Sequence, residues 1–107
     1  MRLTICCAAA ALILTSACLG AQKRGDAAKG KDVFEQCAPC HNVDNDARKM
    51  GPSLKGLFRR AKLENGQKVT EETVRAQIGT GGKQMPHYQD ILTPQEMDDL
   101  IAYLKTL

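Results

Sequence analysis

Apolar residues recur along this chain at helical spacing, and no alternating strand pattern of useful length interrupts them. Gly30, Val33, Phe34 and Cys37 stand at i, i+3, i+4 and i+7, one face of a helix whose start Asp26 can cap. A second helix is predicted from Thr70 to about Ile78. Thr70 supplies the cap, Glu71 and Glu72 suit the positive helix start, Val69 and Val74 have the spacing of a hydrophobic staple, and Gly79 is read as the stop. The third is the best marked. Thr93-Pro94-Gln95-Glu96 joins a capping box to proline at the first helical position, and Met97, Leu100, Ile101 and Leu104 form its buried face. Between these lie polar or glycine- and proline-rich stretches, Asn42 to Lys49, Gly51-Pro52 and Thr80 to Pro86, which read as loops. The pattern predicts an all-α domain with three main helices and long connecting loops.

The first twenty residues stand apart. Met1-Arg2 precedes an apolar run from Leu3 to Leu14, and small residues follow through Ala21. That is the layout of a secretory signal, and the run falls short of the roughly 20 apolar residues a membrane span needs. Cleavage after Gly20 would free the domain. Cleavage after Ala17 would leave Cys18 at the new N-terminus, and Leu14-Thr15-Ser16-Ala17-Cys18 resembles a bacterial lipoprotein signal apart from Thr15. The residues leave both readings open. The chain therefore divides into a signal over 1–20, a polar linker over 21–24 and a domain over 25–107, expected to be exported to the periplasm, either free or tethered through lipid at Cys18.

Removing the signal changes the cysteine count. Of five cysteines, only Cys37 and Cys40 remain in the domain, and a disulfide between them would close almost no loop. The formal charge of +3 falls to +2 without Arg2, which gives no case for nucleic acid as a partner. Two Phe, two Tyr and no Trp make a thin core, and domains of this size often need a metal, cofactor or covalent staple.

Cys37-Ala38-Pro39-Cys40-His41 is C-x-x-C-H, the haem c attachment signature. Two thiols three positions apart can each add to one haem vinyl group, and the adjacent imidazole then lies beneath the iron. A thioredoxin-like redox pair would need a βαβ context that is missing. A zinc site would have to draw on Cys37, Cys40, His41 and His87, the only Cys and His residues of the domain. Four residues are candidates for the iron's sixth position: Met50, Met85, Met97 and His87. Met97 lies on the buried face of the last helix. Met50 follows the haem motif closely, on the proximal side. Met85 lies in a Gly-rich loop locked by Pro86, 44 residues after His41, and His87 is two residues further on.

These matches, taken in order from Gly25 to Leu107, resemble the class I c-type cytochromes, in their compact bacterial form. Gly25-Asp26-Ala27-Ala28-Lys29-Gly30 leads into the haem motif; Gly51-Pro52-Ser53-Leu54-Lys55-Gly56-Leu57-Phe58 looks like the family's loop beneath the haem. Met85-Pro86 looks like its distal loop and Ile101-Ala102-Tyr103-Leu104-Lys105 like its closing helix. The resemblance implies a fold wrapped around one covalent haem c, bound through Cys37 and Cys40, with His41 and Met85 on the iron. It implies that the Pro52 carbonyl orients His41, that Leu54 lines the pocket and that Arg60 faces a propionate. It also implies that Gly30 and Phe34 meet Tyr103 where the first and last helices cross. The tryptophan that bonds a propionate in mitochondrial members is absent, with Val69 near its place. The implied function is one-electron transfer between redox partner proteins by a monomer with no enzymatic reaction. A sensor or enzyme binding a small ligand at iron would need an open sixth position, and a subunit dedicated to one dehydrogenase or oxidase would differ only in partner. Lys55, Arg59, Arg60, Lys62 and Lys68, joined by Lys83, are the candidate basic docking surface, with Glu64 the lone acid among the first five.

Overall fold

A computed structural model describes residues 25–107; the signal, the linker and Cys18 lie outside the described residues. Three α-helices form: α1 (Ala27–Phe34), α2 (Glu71–Thr80) and α3 (Pro94–Leu104). Short 3-10 turns cover Leu57–Arg59 and Tyr88–Asp90, and no strand is present among the described residues beyond an isolated bridge between Lys62 and Lys68.

Each helix begins where the sequence predicts. The Asp26 carboxylate accepts from the amides of Ala28 and Lys29. Thr70 and Thr73 form a reciprocal capping box, as do Thr93 and Glu96. Two ends differ from expectation. α1 stops at Phe34, short of Cys37; single turns then carry the chain into the haem motif, with Cys37 N–H donating to Phe34 and His41 N–H to Cys37. α2 runs through Gly79 to Thr80 and is capped by Gly81, whose φ of +67° glycine adopts freely and other residues rarely do. Gly79 sits buried in the last turn of α2 instead.

α1 crosses α3 at close range. A Cβ on Gly30 would lie 1.9 Å from the Asp99 carbonyl oxygen and 2.8 Å from the Tyr103 Cβ, so only a hydrogen fits there. The Phe34 and Tyr103 rings stack tilted, 5.4 Å apart, at the same crossing. Asp99, 4% exposed, accepts from the Asp26 amide at 2.8 Å, which fastens the start of α1 to α3. α2 is joined to α3 by the pairs Arg75–Asp98 (2.7 Å) and Glu71–Lys105 (2.6 Å), each exposed and worth at most about 1 kcal/mol. The core draws on all three helices, with Phe34, Val74, Ile78, Leu100, Ile101 and Leu104 buried together.

Candidate functional site

The turn after α1 and the loop behind it are built onto one another. Gly51 N–H donates to the Cys40 carbonyl at 2.8 Å and Leu54 N–H to that of Asn42 at 2.8 Å. The Lys49 ammonium reaches the Ala38 carbonyl, inside the C-x-x-C-H turn, at 3.0 Å. This loop brings the Pro52 carbonyl to 2.7 Å from His41 Nδ1. A carbonyl can only accept, so the proton is on Nδ1, and in the neutral ring Nε2 keeps its lone pair. Gly51 packs flat against the same imidazole: a Cβ there would stand 2.4 Å from Cε1.

His41 opens onto a cavity of about 550 Å³ whose walls are largely apolar. Cys37, Cys40, His41, Pro52, Leu54, Arg60 and Met85 all line it, as does the core face of Phe34, Leu57, Val74, Ile78, Leu100 and Leu104. Leu54 is half-buried there, while Arg60 is exposed at the rim with its guanidinium donating to the Lys55 carbonyl at 2.7 Å. Both cysteines are free thiols. Burial, with a smaller contribution from Cys40, pushes the Cys37 thiol up to about 11, so it is protonated at neutral pH.

Of the candidates for the sixth position, Met50 and Met85 both line the cavity and Met97 does not. Met97 is buried in the core and Met50 is 59% exposed, its sulfur 3.9 Å from that of Cys40. His87 does not line the cavity; its Nδ1 donates to the Thr80 carbonyl. No group of three or more Cys, His, Asp or Glu is placed to hold a metal ion among the described residues, so the four-ligand zinc arrangement does not assemble. Of the basic residues in the candidate docking surface, Arg60, Lys62 and Lys83 line the cavity mouth. Arg59 is turned away to the Leu107 carbonyl at 2.9 Å.

Several lining residues escaped the sequence reading. Tyr88, buried three positions after Met85, points its hydroxyl toward the Gln36 carbonyl at 3.5 Å. It lies two residues beyond the Thr80 to Pro86 loop, and no role is read for it there. Arg48 and Glu64 pair across the mouth, and Asn65 donates to Gln77 at 3.1 Å; nothing in their local sequence marks these contacts.

The residues fit a haem: paired thiols, a pre-oriented imidazole and an apolar cavity of a size that commonly holds cofactors, roughly 300–1,000 Å³. The family model described as Cytochrome c matches residues 27–107. The chain belongs to the cytochrome c family. Cytochrome c2 of Blastochloris viridis is 35% identical over 97 residues, covering 75% of this chain and 76% of that one. A cytochrome c-553-like protein of Synechocystis is 36% identical over 85 residues, covering 78% and 71%. Among solved structures, cytochrome cH from Methylobacterium extorquens superposes with a TM-score of 0.57 at 28% identity, over 78% of this chain and all of its own. Cytochrome c6 of the diatom Phaeodactylum tricornutum gives 0.61 at 24% identity over 77% and 93%, a likeness of fold. As a cytochrome c, this protein is a monohaem electron carrier with one covalent haem c, working with redox partners and not as an enzyme. Among the described residues no helix is long and apolar enough to cross a membrane.

Proposed function

We propose that Cys37 and Cys40 would carry the haem through thioether bonds, that His41 Nε2 and the Met85 sulfur would hold its iron, and that the loaded protein shuttles single electrons outside the cytoplasm. The His41–Pro52 hydrogen bond carries this reading. It fixes the ring's tautomer and orientation with the metal-binding nitrogen unprotonated, as the outer partner of a metal-bound histidine must. When bound, haem c supplies a one-electron couple at iron. The chain's part is to hold that couple dry and accessible at one edge. Leu54, Leu57 and Ile78 exclude water, and Arg60 supplies positive charge at the rim for a propionate. Met85, a thioether on the cavity wall, would raise the potential relative to a second histidine.

Export follows from the leader over 1–20, with cleavage after Gly20 giving a free periplasmic monomer and cleavage after Ala17 a lipoprotein anchored at Cys18. The partner surface proposed is the cavity mouth, where Arg60, Lys62 and Lys83 outnumber Glu64; it favours partners with an acidic face. Replacing Met85 by Ala tests the ligand set. The sulfur-to-iron absorption band of the oxidised protein should vanish, the potential should fall and the reduced iron should take up carbon monoxide. The same change at His87 should leave the band in place at room temperature. Retention of the band without Met85 would remove the assignment.

A further inference from the structure

The segment from Thr80 to His87 is closed twice. Inside, Gly82 N–H donates to the Met85 carbonyl at 2.9 Å. Outside, the His87 imidazole donates from Nδ1 to the carbonyl of Thr80, the last residue of α2. Gly81 sits between them at φ +67°, packed so closely that a Cβ would lie 2.4 Å from the Met85 carbonyl oxygen and 2.3 Å from that of Pro86. Met85 is thus carried on a small ring of backbone whose two ends are α2 and residue 87. Beyond the ring, Tyr88 is buried, 7% exposed. His87 itself is exposed and absent from the cavity wall, so its contact with Thr80 has no part in filling the site.

We propose that His87 is a positioning residue for the distal ligand: its hydrogen bond to Thr80 clasps the loop that presents Met85 and sets how often that loop opens to admit an outside ligand. The inference rests on Met85 being the distal ligand. A clasp of this kind acts by removing conformations of the open loop, and its loss costs about one net hydrogen bond, which corresponds to roughly fivefold in an opening equilibrium. Asparagine can place an amide N–H close to where the imidazole places Nδ1–H, whereas phenylalanine keeps the ring and loses the donor.

The test uses the full haem-loaded protein, with imidazole as the external ligand of the oxidised iron. His87→Phe should bind imidazole about fivefold more tightly than wild type. It should lose the sulfur-to-iron band at a lower temperature and exchange its Gly82 amide hydrogen correspondingly faster. His87→Asn should restore all three. Wild-type values in His87→Phe, with the band present in both proteins, would overturn the clasp and leave Met85 as ligand. A change that asparagine does not restore would overturn the hydrogen bond as its cause. A wild-type protein without the band would overturn the Met85 assignment, and the clasp with it.

Discussion

At the scale of single residues, the site depends on atoms that leave no slack. Gly51 lies against the His41 ring, and a methyl there would overlap Cε1 at 2.4 Å and Nδ1 at 2.8 Å. Gly51→Ala should therefore tilt the imidazole off the Pro52 carbonyl. The expected outcome is a lower yield of haem-loaded protein and a shifted potential in what remains, both readable from visible spectra and voltammetry. Tyr88 offers a second check. Burial first, then the nearby Cys37 and Cys40, raises its phenol above the ordinary value of 10. Thioether sulfurs carry no charge, so in the loaded protein burial is the part that stands. A folded value above the unfolded one means that the neutral hydroxyl contributes stability below pH 10, and that this is lost as the pH rises through the folded value. Stability measured by denaturant should fall more steeply above pH 10 in wild type than in Tyr88→Phe. Equal slopes would place the hydroxyl in water.

At the scale of helices, the crossing of α1 and α3 holds the haem motif against the core. Gly30→Ala forces a Cβ to within 1.9 Å of the Asp99 carbonyl oxygen, and two backbones must part to admit it. The cost should be about 3 kcal/mol, at the upper end for overpacking a tight contact, seen as a lower denaturation midpoint with unchanged slope. Removing the α3 cap with Thr93→Ala should cost less, about 1 kcal/mol. The helix starts were legible because caps are local: Asp26, Thr70 and Thr93 each bond amides within three residues. The ends were less so. Gly79 and Gly81 look alike in sequence, and only the positive φ at Gly81 decides between them. Val33, Phe34 and Cys37 keep helical spacing although the helix stops at Phe34, because single turns prolong its periodicity. The ring of contacts around the haem motif was readable in part. Pro52 and Leu54 were reachable by resemblance, whereas the Arg48–Glu64 and Asn65–Gln77 contacts join segments far apart in sequence and depend on the whole fold.

At the scale of the whole molecule, haem is a structural member of the core. Without it, the buried side chains of Phe34, Leu57, Val74, Ile78, Leu100 and Leu104 face a water-filled cleft of about 550 Å³, and the apolar area that haem would cover stays wet. A chain carrying both Cys37→Ala and Cys40→Ala should accordingly lose haem on acid extraction and, once stripped, lose most of its helical circular dichroism. Association with partners is the other property at this scale. Charge reversal at Lys62 and Lys83 should slow electron transfer to an acidic partner at low ionic strength and should matter little at high salt. Covalent attachment of haem at the C-x-x-C-H turn is what every other role in the molecule depends on. The most direct measurement is the intact mass of the exported protein after extraction with acidified organic solvent. The expected mass is that of the processed chain, with or without lipid at Cys18, plus one haem. A mass equal to the bare polypeptide, with the haem recovered in the solvent, would contradict it.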